Sequence, residues 1–157
     1  MTDKIENVWD YPRPPGCLLF NGVIKLNINK KTFVVSKEIF KVIETSHPPT
    51  YYYPLESLRS ENFILNDYKS YCEWKGIANY FDYIEKNNEI KNIGWTYINP
   101  SKNFRQIKKF ISIYPHKIDS CYLNGEKVRN QKGDFYGGWI TSNLIGPFKG
   151  GPNSDMW

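Results

Sequence analysis

Lys75, in the stretch CEWKG, stands among Cys72, Glu73 and Trp74, so thiol, carboxylate, indole and ammonium fall within four residues. Read as one strand, the stretch puts Cys72 and Trp74 on one face and Glu73 and Lys75 on the other. If the lysine face looks into an aromatic pocket, Lys75 is either an anion-binding point charge or a desolvated amine of lowered pKa. If it looks into solvent, Lys75 is an ordinary edge lysine. Cys72 is a candidate nucleophile, and any Cys–His mechanism must use His47 or His116, the two histidines of the chain. The plainer account of Cys72, and of Cys121, is a small buried apolar residue. Lys75, Cys72 and Glu73 are therefore the catalytic candidates, with no reaction assigned.

Several chemistries find no residues to carry them. Zinc needs paired thiolates, and Cys72-x-x-Lys75 has lysine where a second thiolate would stand, so no metal and no cofactor is expected. The glycine patterns that cradle phosphate or a dinucleotide are missing, as is a serine nucleophile elbow. No closely spaced Asp-x-Asp pair offers to hold two metals.

These residues must be positioned by strands. In TSHPPTYYYP, residues 45–54, the prolines force extended backbone and the three tyrosines suit a strand. Alternation sends Tyr51 and Tyr53 to one face and Tyr52 to the other, so both faces must accept a ring. VIKLNI and TFVVS read as a hairpin across Asn29, and Asn124-Gly125 is the strongest hairpin signal in the chain. SYCEWKG and ANYFDYI read as two strands hinged at Gly76, IGWTYI as another, and PLESLRSENF as a short helix or turn. PSKNFRQIKKF is the best helix candidate, with Ser101 as its cap.

The 157 residues fit a single domain, 1–157: an extended arm over 1–21, a β core over 22–132, and a Gly/Pro/aromatic arm over 133–157. Six of the eleven glycines lie in that last arm, yet Phe135, Tyr136, Trp139, Phe148 and Trp157 argue for a segment pinned by rings. Twelve Tyr and five Trp in a chain of mean hydropathy -0.59 suit aromatic-lined concavities. The net charge of +5 is scattered; only Lys102, Arg105, Lys108 and Lys109 cluster, and a solvated face accounts for them better than nucleic acid does. No signal-like or membrane-length apolar run occurs, which predicts a soluble, unexported chain without membrane partners. Three cysteines cannot all pair, which favours a reduced, cytoplasmic setting.

VWDYPRPP, ETSHPPTYYYP, CEWKGIANYFDY, WTYINPS and CYLNGEKVRNQKGDFYGGWITSNLIGPFKGGP together resemble, in order and over nearly the whole chain, the family domain of unknown function 427. The resemblance implies a mainly β fold of the β-tent type, two antiparallel sheets meeting at an angle with one or two short helices. Relatives of that wider fold often carry zinc on two C-x-x-C pairs, which this chain lacks. A nucleotidyltransferase label attached to the family finds no paired carboxylates or phosphate cradle here. The family signature falls on Glu44, on Tyr52-Tyr53-Pro54, on Cys72, Lys75, Gly76 and Tyr80, and on Trp95 and Tyr97.

The expectation is a protein that binds a small molecule in an aromatic-walled pocket. Lys75, with Glu44 or Glu73, would orient the ligand, and Tyr52, Tyr80, Trp95, Tyr97 and Trp139 would pack it. One alternative is an enzyme on the same pocket using Lys75 or Cys72; another is an aromatic cage for a modified peptide or protein end. A homo-oligomer stays open.

Overall fold

The computed structural model describes residues 4–133, 135–151 and 153–157. Strand β1 (Glu6–Asn7) runs into a 3-10 turn over Val8–Asp10, where the Asn7 side chain accepts the Trp9 N–H. The prolines at 12, 14 and 15 hold the chain out of any ladder until β2 (Gly16–Phe20). β3 (Ile24–Ile28) and β4 (Lys31–Ser36) form the hairpin expected at Asn29, with Asn29 and Lys30 at φ 49° and 65°. β5 (Ile39–Ile43) and β6 (Thr50–Pro54) follow, the latter carrying the three tyrosines. Then come β7 (Phe63–Cys72), β8 (Gly76–Glu85), β9 (Asn88–Thr96), β10 (Phe110–Ile113) and β11 (Ser120–Leu123). Short strands close the chain: β12 (Glu126–Lys127), β13 (Arg129–Asn130), β14 (Trp139–Ile140) and β15 (Leu144–Ile145).

The protein is mainly β, built of several antiparallel sheets, and among the described residues the only helical segments are 3-10 turns. The largest sheet has the order β2-β5-β6-β10-β9-β8-β7, and a second has β12-β11-β3-β4. Asn124-Gly125 makes the β11–β12 turn, with positive φ at both residues. Strand β2, inside the stretch read as an arm, is an edge of the large sheet. The two ends of the described chain hold one another: β1 pairs with β15, the Trp9 ring meets Trp157 at 5.2 Å, and its Nε1 donates to the Pro147 carbonyl.

Alternation on β6 distributes the rings as period two requires. Tyr51 and Tyr53 join the core against Ile24, Leu26 and Val34 of the four-stranded sheet, whereas Tyr52 packs in a second cluster with Tyr80, Trp95 and Tyr97. The main core therefore lies between the two sheets, and the second cluster occupies other ground on the large sheet.

Two local expectations are corrected. CEWKG is not one strand: β7 stops at Cys72, β8 starts at Gly76, and those two residues are paired across a three-residue turn. Gly76 sits at φ +105°, a conformation that suits glycine and lets the chain reverse there. PSKNFRQIKKF forms no regular α-helix; Lys102–Ile107 is 3-10 with a break at Phe104. Phe104 and Ile107 are buried three residues apart, the spacing that stacks side chains on a 3-10 turn. The Ser101 hydroxyl caps nothing there, because it donates to the Trp74 carbonyl instead.

Candidate functional site

A cavity of about 530 Å³ opens beside the second aromatic cluster. Its floor is Tyr52 of β6, Tyr80 of β8, Trp95 of β9 and Tyr97 just beyond, each at most 5% exposed. Tyr80 and Trp95 face each other across the β8–β9 ladder. Trp95 donates from Nε1 to the Tyr52 phenol at 3.0 Å, with the rings almost perpendicular at 88°. Tyr80 shares a hydrogen bond of 2.9 Å with Ser70. Burial pushes the pKa of Tyr52 and Tyr97 above the ordinary phenol value, so both are neutral at physiological pH.

The β7–β8 turn brings Cys72, Glu73, Trp74 and Lys75 to the same cavity. Ser101 pins that turn, its N–H on the Lys75 carbonyl at 2.9 Å and its hydroxyl on the Trp74 carbonyl. Reversal at Gly76 thus replaces strand alternation, and Cys72 and Lys75 end on the same side. Burial alone would depress the Lys75 pKa, but Tyr52, Cys72 and Glu44 nearby outweigh it and hold it above the ordinary lysine value. Lys75 is a fixed cation, 5.7 Å over the Phe104 ring, and not a lowered-pKa amine. Glu44 ion-pairs with Arg13 at 3.6 Å rather than with Lys75.

His47 is the residue whose surroundings sequence reasoning underrated. Its pKa drops from 6.5 to about 4, first through burial and then through the charges of Lys149, Arg13 and Lys75. Gln131 accepts the Gly138 N–H on Oε1 and donates from Nε2 to the Lys149 carbonyl, which orients its amide. The same Nε2 lies 3.1 Å from His47 Nδ1, so Nδ1 accepts and the neutral ring carries its proton on Nε2. Tyr136 closes on the ring at 4.6 Å.

Trp139, expected to pack a ligand, does not line the cavity. It is wholly buried in the core between the sheets, its ring 5.1 Å from Tyr51 and 6.3 Å from Tyr53. A backbone bond from its N–H to the Pro49 carbonyl holds β14 against that side. The rings that the C-terminal arm lends to the cavity are Phe135, Tyr136 and Trp157. Their neighbour Lys149 donates to the main-chain oxygen of Trp157 at 3.1 Å and sits over Tyr136. Arg13, Gln131 and Lys149 were missed; Arg13 stands between two prolines in PRPPG and Lys149 before two glycines in PFKGG, whereas nothing in RNQKG marks Gln131. Among the described residues, no group of three or more His, Cys, Asp or Glu is placed to hold a metal ion.

Fold and site define a class: a mainly β protein whose large sheet supports an aromatic cavity with a half-buried, charged lysine at its edge. The family described as Domain of unknown function (DUF427) matches residues 16–124, and the chain belongs to it. No curated protein matches the chain. Arg13, Gln131, Tyr136, Lys149 and Trp157 fall outside the matched residues, so the terminal segments complete a cavity whose floor lies within them.

Proposed function

We propose that the protein binds a small molecule in this cavity, with Tyr52, Tyr80, Trp95 and Tyr97 packing the ligand and Lys75, with Glu44 or Glu73, fixing its orientation. The observation that carries the reading is the convergence, at one concavity of about 530 Å³, of four nearly buried rings and a charged lysine. Ligand sites combine apolar and aromatic walls with a few placed polar groups at about this volume. Use of Lys75 as a base would need a free amine near neutral pH, and its raised pKa works against that. The cytoplasm is the compartment we assign, where the free thiols of Cys17, Cys72 and Cys121 stay reduced. Among the described residues, no helix is long and apolar enough to cross a membrane.

A thermal-shift screen of small metabolites tests the reading. A ligand at 100 times its Kd adds about 2.7 kcal/mol, which raises the Tm of a domain this size by roughly 5–10 °C. A compound that shifts the wild type and fails to shift Lys75→Met supports binding at this cavity. A broad screen without any shift would overturn it.

A further inference from the structure

We propose that the ligand is a ring-bearing carboxylate, its single negative charge set against Lys75 and its ring among Tyr52, Trp95 and Tyr97. This rests on the small-molecule reading above and adds the chemical class.

Counting charges at the cavity leads to the anion. Arg13 is committed to Glu44 and, from Nη2, to the Thr45 carbonyl at 2.9 Å. Lys149 is committed to the main-chain oxygen of Trp157. Lys75 ion-pairs with no carboxylate among the described residues, although it is half-buried and the Ser101 contacts hold the turn that carries it. Over the whole lining, Arg13, Lys75 and Lys149 stand against the carboxylates of Glu44 and Glu73, so the cations outnumber the carboxylates by one, and an anion with a single charge evens that count.

Counting hydrogen-bonding groups gives the same sign. Tyr52 and Tyr97 are neutral phenols, His47 carries its remaining proton on Nε2, and Gln131 has spent its oxygen on Gly138. Apart from the carboxylates of Glu44, which Arg13 holds, and of the exposed Glu73 on the turn, the groups facing the cavity offer mainly donors, which matches a ligand group that only accepts. The charge count argues for one negative charge rather than two. The one surplus positive charge of the lining balances a carboxylate, whereas a phosphate dianion would bring a second negative charge near Glu44 without a partner. Lysine also serves as a point charge, with no fork to demand bidentate geometry.

The test uses three probes of one ring, 2-naphthoate, 2-naphthamide and 2-naphthyl phosphate, titrated calorimetrically into the full chain. The carboxylate should bind at least about tenfold more tightly than the amide, an advantage of about 1.4 kcal/mol. Lys75→Met should erase that advantage, and Lys75→Arg, which keeps the charge, should restore part of it. Near-UV circular dichroism of both variants checks that the aromatic cluster survives. Equal binding of acid and amide would overturn the inference and leave the cavity as a ring site. Tighter binding of the phosphate would overturn the carboxylate class. If none of the three binds while another compound in the thermal screen does, the class is wrong and the small-molecule reading stands; if nothing in either experiment binds, both fall.

Discussion

Trp95 Nε1 donates to the phenol oxygen of Tyr52 at 3.0 Å within a buried pair, although the two residues are 43 apart in sequence. Strand β10 lies between their strands in the sheet, so the bond spans a strand that belongs to neither residue. It ties the middle of the TYYYP strand to the cavity floor.

Tyr52→Phe keeps the ring and removes the acceptor. The Trp95 N–H would be left buried without it, and such a group costs about 1–3 kcal/mol. Urea unfolding should show that loss in the midpoint with the slope unchanged, and the near-UV signal of Trp95 should shift. Stability equal to wild type would mean that the bond contributes nothing.

His47 gives the protein a specific acid sensitivity. Its folded pKa of about 4 lies below the ordinary 6.5, so the unfolded chain takes up a proton first as the pH falls. The contribution is full above pH 6.5 and is lost as pH falls toward 4, by up to about 3 kcal/mol. The Tm of the wild type should therefore fall more steeply than that of His47→Gln across this window, while carboxylate titration common to both cancels in the difference. Parallel curves would show that His47 titrates as it does in water.

The thiols should divide by environment. Burial pushes Cys17 up to about 11 despite the opposing pull of Lys75, and Cys121 is 1% exposed with its pKa also raised by burial. In a peptide map after iodoacetamide treatment near neutral pH, Cys17 should react about a hundredfold more slowly than a model thiol. Cys121 should stay unlabelled until the protein is unfolded. Labelling of Cys17 at the model rate would show that its burial is lost in solution.

Local rules carried much of this architecture. The hairpins at Asn29 and at Asn124-Gly125 were legible because a tight turn needs residues that tolerate positive φ, and that need is written in adjacent positions. Division of Tyr51 and Tyr53 from Tyr52 was legible for the same kind of reason, since opposite faces follow from a period of two. CEWKG misled because a three-residue reversal and a strand with a glycine look alike over seven residues. What distinguishes them is the pairing of Cys72 with Gly76 and the bonds from Ser101, which the linear pattern does not contain.

The sequence by itself determined that the chain is mainly β, which residues turn it, and which tyrosine stands apart from its two neighbours. Only the tertiary structure decided what each face would meet. Trp139 went to the core between the sheets, while Arg13, Tyr136, Lys149 and Trp157 came from both ends of the chain to surround His47 and Lys75. The physical reason is range. Backbone conformation and side-chain alternation act over a few residues, but apolar burial and charge placement are settled by which surfaces can close on one another once the sheets exist.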